Sequence, residues 1–200
     1  MPRLTVKYAL VEIFESLQGE GRNSGRQCAF VRFAGCNLAC PWCDTEVSPR
    51  FSLSLEELLG ELSRCRARSV ILTGGEPTIQ PGMEELVAAL RARGWWIAVE
   101  TNGTGDPAWL REVDYVACSP KAEYADAVKL PRANEVRVVA SSEKVVDFCR
   151  AIRTRIAAED YYVSPCDRDG AIDFATAKNV LAELPDWSLS VQLHKLLGFR

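Results

Sequence analysis

Short apolar runs rich in β-branched and aromatic residues recur along the chain, at residues 8–14, 28–33, 69–73, 95–101, 115–118, 135–139, 161–163 and 189–193, and read as strands. Stretches of helical period separate several of them. The clearest opens at Ser54, has Glu57 three places on as a capping box, and carries Leu55, Leu58, Leu59 and Leu62 at helical spacing. A second runs from about Met83 to Arg93 and stops at Gly94, a natural C-terminal glycine. Two more cover 143–156 and 174–184. Strands alternating with helices argue for parallel β/α units joined by right-handed crossovers. Segments 101–114 and 119–133 carry little helical pattern, which leaves too few helices for a closed eight-unit barrel. The expected fold is therefore α/β: a partial, incomplete β/α barrel with a mostly parallel sheet and few helices. At 200 residues and 48% hydrophobic, with no linker or low-complexity stretch, the chain reads as a single domain over 1–200.

In such sheets the loops after the strand C-termini build the site. The loop after 28–33 carries Gly35-Cys36-Asn37-Leu38-Ala39-Cys40-Pro41-Trp42-Cys43. Three soft thiolates at C-x-x-x-C-x-x-C spacing suit three corners of a cubane iron–sulfur cluster and leave its fourth iron without a protein ligand. Structural sites are instead closed by four ligands. The competing reading is half of a zinc site. With His194 as the sole histidine, Cys2His2 is impossible and Cys3His needs His194 folded back onto the loop. Cys28, Cys65, Cys118 and Cys149 lie in apolar-periodic segments and read as small buried hydrophobes.

Residues 1–7 lack the apolar core of a signal peptide, and no apolar run is long enough to span a bilayer. The expected location is cytoplasmic, where thiolates persist as metal ligands. Basic and acidic residues are near balance, 24 against 27, and form no long basic cluster, which disfavours a nucleic-acid partner. Arg64, Arg66 and Arg68 read as a solvated helix end.

Other strand ends carry chemistry as well. Gly74-Gly75-Glu76-Pro77 follows 69–73, where a double glycine admits a close backbone approach to a small zwitterion and Glu76 can hold an ammonium. Alone, it reads equally as a glycine turn. Arg32 stands on the strand entering the cysteine loop and can pair bidentately with a carboxylate, or is a solvated strand residue. Upstream, Ser16-Leu17-Gln18-Gly19-Glu20-Gly21 offers an amide and a carboxylate that suit a heterocycle with several N–H donors.

The cysteine loop followed by this glycine segment resembles the radical S-adenosylmethionine (SAM) superfamily. That resemblance implies a [4Fe-4S] cluster on Cys36, Cys40 and Cys43, SAM on the free iron, and a 5'-deoxyadenosyl radical that abstracts hydrogen from substrate. The cofactor carries the chemistry and the protein supplies position. Glu76 then matches the segment holding SAM's methionine amino group. Glu100, in Glu100-Thr101-Asn102-Gly103, would reach the ribose, although an Asn-Gly turn explains the segment as well.

Gln18-Gly19-Glu20, Asp44-Thr45, Ser119-Pro120-Lys121 and Gln192-Leu193-His194-Lys195 together resemble the 7-carboxy-7-deazaguanine synthase family over most of the chain. The resemblance implies a carbon–nitrogen lyase of 7-deazapurine (queuosine) biosynthesis. Such an enzyme converts 6-carboxy-5,6,7,8-tetrahydropterin to 7-carboxy-7-deazaguanine with ring contraction and loss of ammonia, regenerating SAM. Trp42, Cys43, Asp44, Gly75, Ser119, Pro120 and Lys121 would then contact SAM, as would Ser164, Pro165 and Asp167. Family members often have Gln-Pro-x-Asp at that last segment, so the serine here removes one amide contact. Leu17, Gln18, Gly19, Arg32 and Thr73 match substrate positions, with Glu20 added. Thr45 matches a magnesium ligand, reasonable for a cation that takes few protein oxygens. Neither His194 nor Cys166 receives a role. A homodimer, an external reductant such as flavodoxin, and no membrane partner are further implied. Two alternatives remain: a glycyl-radical activase, against which residues 18–21 and Asp44-Thr45 discriminate, and a non-catalytic iron–sulfur or zinc module.

Overall fold

The computed structural model describes residues 6–199, so most of the N-terminal segment 1–7 read for a signal peptide lies outside the described residues. The elements in chain order are β1 (Lys7–Leu17), β2 (Gln27–Phe33), β3 (Phe51–Ser54), α1 (Leu55–Ser63), β4 (Ser69–Gly74), α2 (Met83–Ala92), β5 (Trp96–Thr101), β6 (Tyr115–Cys118), β7 (Glu135–Ala140), α3 (Val145–Arg155), β8 (Asp160–Arg168), β9 (Ala171–Asp173), α4 (Phe174–Ala182), β10 (Ser188–Leu189) and α5 (Leu193–Leu197). One sheet runs β10-β8-β7-β6-β5-β4-β2-β1-β3, with β9 attached to β8. Neighbours from β2 to β10 are parallel. The sheet does not close, and β3 and β10 are its edges. This is the partial barrel expected from the pattern.

Three features lie outside that pattern. β1 and β2 are antiparallel, because only a short 3-10 turn (Gly21–Asn23) joins them and a hairpin reverses direction where a helical crossover does not. The run 189–193 is strand only at Leu189, the last residue of β10: pairing with β8 stops there, and Leu193 already opens α5, its N–H donating to Gly19 O at 3.0 Å. β3 went unread, since Ser54 serves both as its last residue and as the N-cap of α1. The capping box there forms as expected, Ser54 and Glu57 satisfying each other's backbone N–H.

Period-two alternation splits each parallel strand between two environments. One set of side chains faces the helices and joins the main core, where Val31, Leu72, Val99, Val136 and Val163 meet Leu58, Leu62, Leu86, Leu90, Ile152 and Val180. The other set faces inward. At the N-terminal ends of the strands it forms a small apolar plug of Cys28, Ile71, Ala98, Tyr115 and Ala117. Burial pushes the thiols of Cys28, Cys118 and Cys149 up to about 11, 12 and 12, which leaves them inert small hydrophobes. Cys65 is only half-buried, a correction to its expected place in the core. No described helix is long and apolar enough to cross a membrane.

Candidate active site

Two residues further along each strand, the inward side chains change character. Arg32 of β2 lies opposite Thr73 of β4, and Glu100 of β5 follows Ala98 on the same face. These three line a cavity of about 520 Å³, together with Leu17, Gln18, Gly19 and Glu20 from the end of β1, Asp44 and Thr45 from the cysteine loop, and Asp167 of β8. Its size suits a small heterocycle. The residues proposed to contact substrate thus lie around one space, at the C-terminal ends of the parallel strands.

A bulge in β1 makes that arrangement possible. Leu10 pairs with Phe33 but Glu12 pairs with Arg32, so one extra residue, Val11, is inserted. Upstream of it, the even-numbered Tyr8 and Leu10 belong to the main core. Downstream, the even-numbered Glu12 and Phe14 line the cavity, because a one-residue shift exchanges the two faces of a strand. Glu12 thereby accepts a hydrogen bond from Arg32 Nε at 2.7 Å, and Phe14 stacks on Phe30 with centroids 4.9 Å apart. The pairing engages one edge of the Arg32 guanidinium and fixes its direction.

Behind the cavity floor lies an ion cluster. Arg137 of β7 contacts Glu20 Oε2 at 3.0 Å, Glu135 Oε1 at 3.1 Å, and Glu100 Oε2. Gln18 Nε2 donates to Glu100 Oε1 at 2.9 Å and Gln192 Nε2 to Glu20 Oε1 at 3.0 Å. Gly19 is needed because His194 approaches it: a Cβ there would stand 2.8 Å from His194 Nδ1. Burial lowers the pKa of that histidine from its ordinary value, which favours the neutral ring at the cavity wall.

The cysteine loop spans the space after β2 without regular structure. Cys36 and Cys43 are exposed, Cys40 is half-buried, and all three are free thiols. Burial raises the Cys40 pKa, and the Lys121 ammonium opposes it. Among the described residues no three His, Cys, Asp or Glu side chains converge at metal-holding spacing. The start of the loop is strapped to the end of β4: Gly75 N donates to Phe33 O at 2.9 Å and Glu76 N to Gly35 O at 3.0 Å. A Cβ on Gly75 would lie 1.6 Å from Gly35 O, so only glycine fits where these two chain segments meet. Glu76 is fully buried. Its carboxylate accepts from Thr78 N at 2.9 Å, Thr78 Oγ1 at 2.6 Å, Thr101 Oγ1 at 2.7 Å and Asn102 N at 2.7 Å. It is a strut between the β4 and β5 loops, which corrects the expectation of an ammonium holder. Asn102 Nδ2 in turn donates to Asn37 Oδ1 at 2.9 Å, tying the β5 loop to the cysteine loop.

The remaining expected SAM positions lie on the cysteine loop, just after β6 and on β8. Lys121 Nζ donates to Ser119 Oγ at 2.7 Å and stands 5.2 Å from the Trp42 ring centre; Pro120 between them is buried. Trp42, Cys43, Asp44 and Asp167 line a second depression of about 430 Å³. Ser164 Oγ, next to Pro165 on β8, is buried without a hydrogen-bond partner among the described residues, an orphan of the kind a polar ligand satisfies. Lys195 bridges the loop to β8, donating to Asp167 Oδ2 at 2.6 Å and to Asp44 Oδ2. Three free thiols on one accessible loop, with Asp44 and Asp167 beside it, fit a cluster with SAM. Glu12, Arg137, Gln192, His194 and Lys195 are site residues to which the sequence reading gave no role. The charged pair Glu135 and Arg137, alternating with Val136 and Val138 in a buried strand, was the signal for one of them.

A radical SAM superfamily model matches residues 30–156, and the chain belongs to that superfamily, whose hallmark is a [4Fe-4S] cluster with SAM. It is 46% identical to the 7-carboxy-7-deazaguanine synthase of Neisseria meningitidis serogroup B, over 96% of this chain and 94% of that protein. Identity to the enzyme of the same name from Haemophilus influenzae is 42%, covering 96% and 93%. Within the superfamily the chain is thus a member of the 7-carboxy-7-deazaguanine synthase family. The crystal structure of QueE from Escherichia coli shares the fold, with a TM-score of 0.74 at 24% identity over 94% of this chain and 95% of that one.

Proposed function

We propose that this enzyme converts 6-carboxy-5,6,7,8-tetrahydropterin to 7-carboxy-7-deazaguanine and ammonia in 7-deazapurine (queuosine) biosynthesis. The observation that carries the reading is the meeting of Leu17, Gln18, Gly19, Glu20, Arg32 and Thr73 around one cavity with Asp44 and Thr45 of the cysteine loop on its wall. Cys36, Cys40 and Cys43 would hold the [4Fe-4S] cluster, which with SAM supplies the radical that starts the ring contraction. Arg32, aimed by Glu12, binds the substrate carboxylate. Gln18 and Glu20 accept from the N–H groups of the pterin ring. Trp42, Cys43, Asp44, Gly75, Ser119, Pro120, Lys121, Ser164, Pro165 and Asp167 would surround SAM, Gly75 through its backbone; Glu100, expected from the sequence at the SAM ribose, lines the cavity with the substrate residues and is read here with them. Glu76 acts indirectly, by fixing the loop beside it. Lys195 holds Asp44 and Asp167 together at the cavity wall.

Thr45, whose hydroxyl lies 3.3 Å from Asp44 Oδ1, would bind Mg²⁺, a hard cation that prefers such oxygen donors. The protein would work in the cytoplasm, reduced by a partner such as flavodoxin. It would form a homodimer; the edge strand β10 with its exposed Leu189, and Leu196 and Leu197 of α5, offer uncovered apolar surface.

Anaerobically reconstituted protein given SAM, reductant, Mg²⁺ and the pterin should release 7-carboxy-7-deazaguanine. An intact cluster without that product sinks the reading, and zinc in place of iron would favour a non-catalytic module. Thr45→Ala should lose the rate's response to Mg²⁺; an unchanged response removes Thr45 as ligand.

A further inference from the structure

Arg137 does not line the cavity, yet two of the three carboxylates it touches do. Its side chain is 4% exposed and Glu135 is 2% exposed, whereas Glu20 and Glu100 retain 22% and 21%. The guanidinium fork therefore reaches from the closed interior to the back of two carboxylates whose fronts meet the cavity. Each of those carboxylates is held at both oxygens, Glu20 by Gln192 and Arg137, Glu100 by Gln18 and Arg137. An ionised carboxylate offers about four lone-pair sites, so acceptor capacity remains on each for a ligand. Among the three acids, burial raises the Glu135 pKa from its ordinary value. The Tyr115 hydroxyl and the Arg22 N–H donate to it, at 2.8 and 2.9 Å. Both of these donors bond Glu135 Oε2, which leaves Oε1 to Arg137.

We propose that Arg137 is a positioning residue for substrate selection: it fixes the Glu20 and Glu100 carboxylates side by side as a wall of charged acceptors that selects a ring whose edge carries several N–H donors. The proposal rests on the pterin reading above and deepens it. A ring that presents a carbonyl oxygen where a pterin presents its 2-amino group would face that wall with like polarity and be rejected, because both groups are left unpaired. Arg137 does so through geometry as well as charge. A planar guanidinium holds two carboxylates at fixed separation, and a lysine ammonium on a flexible stem does not.

The test is binding selectivity. Full-length, anaerobically reconstituted protein with SAM is titrated with 6-carboxypterin, whose fluorescence reports binding, and with 6-carboxylumazine, which has an oxygen in place of the 2-amino group. The parent should prefer the pterin by about tenfold or more, as expected when a buried acceptor loses its donor. Arg137→Met should weaken pterin binding and bring the two dissociation constants to within about twofold, with Arg137→Lys between the two. A merely structural role would weaken both ligands alike and leave the ratio unchanged. An unchanged ratio in Arg137→Met therefore overturns the proposal while leaving the pterin reading standing. Should Arg137→Met not fold, Arg137→Lys decides alone, and parental selectivity in it overturns the proposal. A parent that binds neither ligand overturns the pterin reading and the proposal with it.

Discussion

A carboxylate with no exposed surface that takes all its hydrogen bonds from its own chain, as Glu76 does, contributes through the cost of leaving its donors unpaired. Glu76→Ala strands the N–H groups of Thr78 and Asn102 and the Thr101 hydroxyl, and should lower stability by about 3 kcal/mol, measured as a shift in the urea midpoint at constant slope. Gly75→Ala should act differently. Its Cβ has no room beside Gly35 O, so the β4 turn and the cysteine loop must separate, and iron incorporated on reconstitution should fall well below the parent's while the urea midpoint moves less than in Glu76→Ala. For Arg32→Gln, the lost charge partner should raise KM for the pterin by about tenfold or more with little change in kcat. At this scale the sequence exposed the chemical type of each residue. It did not expose what that chemistry faces: Glu76 just after β4 and Glu100 near the end of β5 are both acids at strand C-termini, and only Glu100 reaches the cavity.

Elements raise the question of what holds the C-terminal segment over the site. Leu193 N is bonded to Gly19 O, Gln192 to Glu20, and Lys195 to Asp44 and Asp167. The Lys195 hydrogen bond holds the Asp167 carboxyl below the usual aspartate range. Burial works against the Lys195 charge, but its bonds to Asp167 and Asp44 outweigh it and raise its pKa. The depressed aspartate stabilises above its unfolded pKa and loses that contribution as pH falls through the lower folded value. The raised lysine stabilises below its unfolded pKa and loses its contribution as pH rises through the higher folded value. The gap in Tm between parent and Lys195→Met should therefore be widest between about pH 3.9 and 10.4 and close on either side, which thermal melts across that range would check. α5 itself was invisible in the sequence, because five residues give no helical period. The bulge at Val11 was equally hidden, since register belongs to two strands and not to one.

Among the described residues one large apolar core joins strands and helices from Tyr8 to Trp187. Calorimetry should accordingly find one unfolding transition, with the calorimetric and van't Hoff enthalpies in a ratio of about 1; two resolved transitions would contradict the single-domain reading. The alternation of strands and helices, the inward and outward faces of each parallel strand, and the spacing of Cys36, Cys40 and Cys43 were determined by the sequence itself, because each depends on a local period. The tertiary structure alone decided that Glu76 is a strut, that Glu12 aims Arg32, and that Arg137 reaches Glu20 across 117 positions and Glu100 across 37. Which donors a buried charge finds depends on packing between segments far apart in the chain, and no local pattern encodes it.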